Sequence, residues 1–153
     1  MDPSLPEIDA GEDRTMESAG GLTRPVPQVS ALTRPFWEGC RRGVLLVQRC
    51  CSCSGHVFAP QDFCRSCQSP DLEWVESSGE GELVTYTTIW RPQTPAFEVP
   101  YVVAVVALTE GYEMLTNLVD AEPGEIRVGA KVQVVFRDVA PDVTLPCFTV
   151  VSA

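Results

Sequence analysis

The 153-residue sequence contains no run of about 18 consecutive apolar residues, which is the length that a membrane-spanning helix needs. Its N-terminus is acidic and lacks an apolar segment, which argues against a secretory signal peptide. We therefore expect a chain that stays out of the membrane and resides in the cytoplasm. Because disulfides are rare in a reducing compartment, cysteines in such a chain are better candidates for metal ligands.

Motifs of common catalytic sites are also missing. The sequence contains no Walker A loop, GxGxxG, HExxH or GxSxG pattern. His56 is the only histidine, and no nucleophile or orienting acid accompanies it in a recognisable pattern. We interpret His56 as a polar loop residue and expect no self-contained active site in this chain.

Lysine occurs once, against ten arginines, and the net charge is −10. Residues 30–67 have a net charge of +3, whereas residues 68–153 have −9. Such an acidic chain is a poor general nucleic-acid binder, because attraction to phosphates dominates that affinity. An anionic ligand is favoured only near the basic segment, and a solvated surface is the alternative interpretation. The arginines of this segment are Arg34, Arg41, Arg42, Arg49 and Arg65.

The composition changes along the chain and predicts four segments. Residues 1–29 are rich in Asp, Glu, Pro, Gly and Ser, which predicts a flexible acidic tail because little apolar surface can be buried. Residues 30–43 predict a short helix, with Pro35 in its first turn and Gly43 at its end. The remaining segments are a predicted zinc ribbon and a predicted OB-fold domain, at residues 44–78 and 79–153.

Four of the seven cysteines form the pattern Cys50-x2-Cys53-x10-Cys64-x2-Cys67. Each CxxC turn brings two thiolates to one tetrahedral metal ion, at a Zn–S distance of about 2.3 Å. Four protein ligands leave no position for water or substrate, so the predicted site is structural. Zinc is favoured over iron because nothing else in the sequence indicates electron transfer. A set of redox-active cysteines is the alternative.

The other cysteines have different settings. Cys51 is adjacent to Cys50 and competes with it as a ligand, but the CxxC spacing favours Cys50. Cys40 and Cys147 lie among apolar residues, which predicts small buried side chains.

The three tryptophans fall one each in the predicted helix, ribbon and first barrel strand, at Trp37, Trp74 and Trp90. We expect them to pack where these segments meet. An exposed aromatic surface for a partner is the alternative.

Five strand-like runs follow Gly79 and Gly81, separated by Pro, Gly and Asp residues. Short antiparallel strands with such punctuation predict a sandwich or a small barrel, and five strands suit an OB-fold. The runs are residues 83–90, 101–108, 114–119, 131–139 and 144–151.

Several stretches, taken in order, resemble a known family. They are RPFWEGCRRGVLLVQRC, the two CxxC turns, GEGELVTYTTI, VPYVVAVVALTEG, TNLVD, VGAKVQVVF and LPCF. The chain resembles the "domain of unknown function 35" family over residues 30–151. The resemblance implies a mainly β fold with a short N-terminal helix, a rubredoxin-like zinc ribbon and a C-terminal five-stranded OB-fold barrel. The four cysteines match the ligand positions of the family's ribbon.

The resemblance also implies a function. Proteins of this family accompany thiolase-like enzymes, lipid-transfer-protein-type aldolases or MaoC-like hydratases that act on CoA thioesters, and they are usually the non-catalytic subunit. The domain also occurs fused to a hydratase, as in steroid side-chain degradation. We therefore expect an accessory subunit that docks on such an enzyme, stabilises it and shapes its acyl-CoA channel.

Three other functions remain open at this stage. A stand-alone acyl-CoA-binding protein could meet the CoA phosphates with the five arginines of residues 30–67, which bind phosphate bidentately. An OB-fold nucleic-acid binder needs a basic groove with stacking aromatics, which an acidic barrel does not favour. An independent enzyme is the least favoured, since no catalytic motif occurs.

Overall fold

The computed structural model describes residues 24–151, which form one helix and eight strands. No helix in this part of the chain is long and apolar enough to cross a bilayer. The mainly β architecture predicted from the sequence is confirmed. The elements are α1 (Arg34–Arg41), β1 (Leu46–Cys50), β2 (His56–Val57), β3 (Leu72–Glu76), β4 (Glu80–Ile89), β5 (Tyr101–Leu108), β6 (Glu113–Leu118), β7 (Lys131–Ala140) and β8 (Val143–Val150).

The first sheet is a three-stranded antiparallel ribbon with the strand order β2-β1-β3. Strand β1 is central, and its last residue is the first cysteine of the metal motif, Cys50. Arg49 lies opposite Glu73 in this sheet, and its guanidinium donates to the Glu73 carboxylate at 2.6 Å. Because β1 ends at Cys50 and β3 begins soon after Cys67, both CxxC turns lie at one end of this short sheet.

The second sheet is a closed five-stranded barrel with the order β4-β5-β6-β8-β7. All neighbouring strands are antiparallel except β6 and β8, which pair in parallel at Leu118 and Phe148. This arrangement is the OB-fold predicted from the five strand-like runs. Each predicted run overlaps one barrel strand.

Two glycines at the start of β4 allow this strand to pack closely against the neighbouring strands β5 and β7. Gly79 has a φ of +69°, and a Cβ there would clash with Cγ1 of Val134. A Cβ at Gly81 would meet the carbonyl oxygen of Ala107 at 2.6 Å and Val106 Cγ1 at 2.7 Å. The pair that marks the start of the barrel in the sequence therefore also allows the barrel to close.

One hydrophobic core joins the helix, the ribbon and the barrel. Phe36 and Cys40 from α1 and Val47 from β1 belong to the same buried cluster as Leu83 and Phe148 from the barrel. A second, smaller cluster lies at the cysteine end of the ribbon, around Cys50, Val57 and Cys64. The metal end of the ribbon thus has little apolar packing of its own.

Aromatic side chains connect the three parts. Phe36 contacts Trp37 in an edge-on arrangement with 4.8 Å between ring centroids, and it lies 5.7 Å from Phe58 in the loop after β2. Phe58 is in turn 5.7 Å from Tyr112, whose hydroxyl donates to Ser77 Oγ at 2.9 Å. Such pairs add stabilisation beyond the burial of their area.

The prediction for the tryptophans holds for two of the three. Trp37 and Trp74 are partly buried against the main core, as expected. Trp90 is 67% exposed, so the expectation that it packs at a junction is wrong. It follows the last residue of β4, where the chain leaves the barrel and enters the loop before β5.

The predicted helix at 30–43 is shorter in the structure, where it ends at Arg41 and Gly43 adopts a φ of +73°. Most of the predicted tail, at residues 1–23, lies outside the described residues. Residues 24–29 have no regular secondary structure. The four segment boundaries remain predictions.

Candidate metal centre

Four cysteine sulfurs converge at the end of the ribbon. The Sγ atoms of Cys50, Cys53, Cys64 and Cys67 all lie within 4.8 Å of one another. Two of the pairs are closer: Cys50 Sγ is 3.5 Å from Cys67 Sγ, and Cys53 Sγ is 3.6 Å from Cys64 Sγ. A tetrahedron with four Zn–S bonds of about 2.3 Å has S–S edges of about 3.8 Å, so the cluster has the size of a tetrahedral thiolate site.

The two CxxC turns have the same backbone hydrogen bonds. In the first, Ser54 N donates to Cys50 O at 2.8 Å and Cys50 N donates to Gly55 O at 2.9 Å. In the second, Gln68 N donates to Cys64 O and Cys64 N donates to Ser69 O, both at 2.9 Å. This repetition makes the two halves of the site geometrically equivalent.

Each turn requires one left-handed residue, directly after its second cysteine. Ser54 has a φ of +62° and Gln68 has a φ of +61°. Gly55, which follows the first turn, is not this residue, because the left-handed conformation lies one position earlier, at Ser54. Neither Ser nor Gln is typical of positive φ, so the sequence offered no signal for it. The metal-binding geometry therefore depends on a backbone conformation that the residue types alone do not favour.

Backbone amides stabilise the thiolate form at the first cysteine of each turn. The N–H groups of Cys67 and Ser66 lower the pKa of the Cys64 thiol to about 6, although desolvation acts against them. At Cys50, desolvation raises the pKa, but the N–H groups of Cys53 and Ser52 outweigh it and lower the pKa. A metal binds the thiolate, so these amides favour binding.

The donor set fits a soft cation. Four thiolates suit Zn²⁺ or iron and leave no coordination position for water or substrate. Cys50 and Cys64 are buried, whereas Cys53 and Cys67 are exposed. The site thus lies half in the small ribbon core and half at the surface, which is the position of a structural ion that holds two loops together.

The three remaining cysteines stay outside this cluster. Cys51 is exposed, and desolvation together with the carboxylates of Asp71 and Glu73 raises the pKa of its thiol, which disfavours the thiolate. Cys40 and Cys147 are buried, as predicted. Burial raises the pKa of Cys40 to about 12, which keeps this thiol neutral.

The five arginines named from the sequence lie on separate elements. Arg34, Arg41 and Arg42 are exposed on or next to α1, and Arg41 is 3.9 Å from Asp142. Arg49 is paired with Glu73 on β3. Arg65 is exposed in the second CxxC turn. The arginines around α1 therefore form the group that is most available to an anion.

His56 is half-buried at the start of β2, with its ring centroid 6.1 Å from that of Tyr112. It contributes to packing between the ribbon and the barrel. His56 was predicted to lie in a loop, but it is the first residue of a strand.

Two family descriptions match the chain in consecutive stretches. Residues 37–73 match "ChsH2, rubredoxin-like zinc ribbon domain", and residues 74–137 match "ChsH2, C-terminal OB-fold domain". The ribbon match contains all four cysteines of the cluster. The junction between the two matches falls within β3.

Known proteins extend the likeness. A protein of Thermomonospora curvata named "Probable enoyl-CoA hydratase alpha subunit" is 38% identical over 125 residues, which are 82% of this chain and 39% of that protein. The chain thus spans well under half the length of this relative. A "DUF35 domain-containing scaffold protein" of Pyrococcus furiosus is 35% identical over 107 residues, which are 68% of this chain and 77% of that protein.

A solved structure is also similar to this chain. The chain is similar to one from the "Ltp2-ChsH2(DUF35) aldolase", with 36% sequence identity and a TM-score of 0.75. The match covers 81% of this chain and 98% of that one. Since the cysteine pattern, the ribbon, the barrel and these matches agree, the chain belongs to the DUF35 family.

Proposed function

We propose that this chain is a non-catalytic, Zn²⁺-binding subunit of an enzyme complex that acts on acyl-CoA thioesters. In this role it docks on a thiolase-like or lipid-transfer-protein-type aldolase subunit in a hetero-oligomer, stabilises it and shapes its acyl-CoA channel. The ion holds the ribbon in place and takes no part in the reaction. The cytoplasm is the compartment in which this complex would work.

The observation that carries the proposal is the likeness to nearly the whole of a DUF35 chain in a solved aldolase. Two further features support it. The four-thiolate cluster has no open coordination position, which suits a scaffold. The name of the Thermomonospora curvata relative places a similar sequence in a protein of CoA-thioester chemistry.

Co-expression tests the proposal directly. The full chain is produced with the thiolase-like or aldolase protein encoded beside it, and the pair is followed by gel filtration and by turnover of an acetyl-CoA and a steroid side-chain acyl-CoA substrate. We expect a stable complex that is more active than the catalytic subunit alone. A catalytic subunit that is fully active and stable by itself, with no complex formed, would contradict the proposal.

The exposed arginines favour a second candidate, in which the chain itself binds acyl-CoA. Arg34 and Arg42 form no ion pair within residues 24–151, and the pairing of Arg41 with Asp142 is long at 3.9 Å. Guanidinium groups bind phosphate bidentately, which suits the CoA phosphates. In this candidate Arg49 contributes less, because its guanidinium already has a carboxylate partner.

Titration calorimetry separates the two candidates. The isolated chain is titrated with acetyl-CoA and with a longer acyl-CoA, beside a variant in which Arg34 and Arg42 are replaced by Gln. Direct binding predicts heat with the wild-type chain and a several-fold weaker affinity in the variant. No heat at millimolar ligand would leave docking on a catalytic subunit as the single role.

A further inference from the structure

The outer surface of β5 is apolar, although an antiparallel strand with one solvated face normally alternates apolar and polar residues. The inward residues, at every second position from Val102 to Leu108, are buried in the barrel. The outward residues are also apolar or aromatic, and they are only half-buried: Tyr101, Val103, Val105 and Ala107. The outward residues do not contribute to the barrel core, so their apolar character needs another explanation.

The neighbouring strands extend this surface without adding a charge. Residues directly opposite each other in antiparallel strands share one face of the sheet. Val103 and Val105 each have a partner on β4 and another on β6. Leu115 on β6 is 72% exposed, the largest value among the exposed large hydrophobic side chains. We name this surface the β5 face; its residues are Thr85, Thr87, Val103, Val105, Leu115 and Asn117.

An aromatic cavity adjoins the β5 face at Leu115. Its volume is about 290 Å³, and it lies where the helix, the loop after β2 and the barrel meet. Phe36, Trp37 and Phe58 line it together with Leu115. An apolar pocket next to an exposed aliphatic side chain is the arrangement in which a partner protein inserts an anchoring side chain.

Charge appears only at the edge of this surface. Ala107 lies between Glu82 on β4 and Glu113 on β6, and both carboxylates are exposed. Glu82 accepts from Lys131 Nζ at 3.0 Å, whereas Glu113 forms no ion pair within residues 24–151. A partner with a basic side chain opposite Glu113 complements this edge.

We propose that the β5 face and the adjoining aromatic cavity are the surface that docks on the catalytic subunit. The partner fits by placing an apolar side chain in the cavity, aliphatic groups on the β5 face and a Lys or Arg opposite Glu113. This inference rests on the proposed function and adds to it the surface and the chemistry of the partner.

Charge disfavours two other occupants. A second copy of this chain would make an isologous contact and bring together two segments of residues 68–153, which contain β3 and the barrel and have a net charge of −9 each. A nucleic acid would meet no basic side chain on the β5 face. A different protein with a basic rim is the occupant that the charges fit.

The test uses three pairs of proteins, each with the catalytic subunit encoded beside this chain. Affinity is measured for the wild-type chain, for Leu115→Lys and for Val128→Lys. Val128 is 64% exposed in the loop between β6 and β7, so the control adds the same charge at another exposed aliphatic residue. We expect Leu115→Lys to weaken the affinity about 30-fold or more, as for a hot-spot residue, and Val128→Lys to leave it within about threefold.

Thermal unfolding of both variants checks that the barrel remains folded. Retained affinity in Leu115→Lys would overturn the docking surface but leave the proposed function standing. No complex with the wild-type chain would overturn both. A homodimer that Leu115→Lys dissociates, seen by sedimentation, would assign the surface to a second copy and would also overturn the inference.

A second comparison tests the charged edge. Glu113→Lys is compared with Glu125→Lys, which makes the same change of charge on the β6–β7 loop. We expect Glu113→Lys to slow association at low salt, and the difference from the control to shrink as ionic strength rises. Equal association rates for the two variants would contradict a basic partner group at Glu113.

Discussion

At the scale of single residues, the metal centre depends on sulfur position and backbone direction together. The CxxC spacing brings two thiolates within reach of one ion, and the amides of each turn favour the thiolate of its first cysteine. Ser54 and Gln68 adopt a left-handed conformation directly after the second cysteine of each turn. The local strain is sustained because metal binding contributes to folding free energy in sites of this kind.

Replacing a ligand should therefore remove both the ion and the local fold. We expect Cys64→Ser to lose its zinc and to lose order in the ribbon, because three thiolates and a hydroxyl bind the ion far more weakly. Metal content by mass spectrometry and complex formation by gel filtration measure the two effects. Cys51→Ser is the matched control and should keep its metal, since Cys51 lies outside the cluster. A Cys64→Ser variant that retained its metal and its partner would refute the ligand assignment.

At the scale of elements, the start of β4 is closely packed against its neighbouring strands. Gly81 pairs with Val132 on β7 and with Leu108 on β5, so it lies between two strands. A Cβ at this position would come within 2.6 Å of a backbone oxygen, which cannot rotate away. A larger residue at this position therefore has to push the two neighbouring strands apart.

This closeness predicts the cost of one methyl group. We expect Gly81→Ala to lower the free energy of unfolding by about 1–3 kcal/mol, the usual cost of overpacking. Gly124→Ala, where no atom lies within 4 Å of the added Cβ, should change it by less than about 0.5 kcal/mol. Denaturant unfolding of both variants gives the comparison, and equal stabilities would show that the strands move apart at low cost.

At the scale of the whole molecule, the two hydrophobic clusters differ in size and in whether they contain cysteines of the metal centre. The main cluster joins α1, the start of the ribbon and the barrel, and it contains no metal ligand. The small cluster contains two ligands and only a few apolar contacts. A metal ion held by the four thiolates would therefore stabilise one end of the ribbon, while apolar burial stabilises the rest.

Removal of the metal should separate these two parts. After chelation we expect amide protons in residues 50–72 to exchange rapidly, while those of β5 remain protected. Hydrogen exchange followed by mass spectrometry measures both regions in one experiment. Loss of protection in β5 at the same chelator concentration would mean that the ribbon and barrel unfold as one unit.

The sequence by itself determined the features that depend on local spacing. CxxC spacing selected the four cysteines whose sulfurs converge in the structure, and apolar runs between Gly, Pro and Asp residues identified the five barrel strands. Side-chain period and turn residues act over a few positions, so the order of residues is enough to reveal them. The burial of Cys40 and Cys147 followed in the same way from their apolar neighbours.

Only the tertiary structure decided which distant surfaces meet. The parallel pairing of β6 with β8 closes the barrel, and Phe36, Phe58 and Leu115 come together in one cavity from three separate parts of the chain. Trp90 is exposed because of where β4 ends in the barrel, which its sequence neighbours do not reveal. Contacts of this kind follow from long-range packing, and the outward apolar face of β5 became visible only once the barrel had fixed which side of the strand is inside.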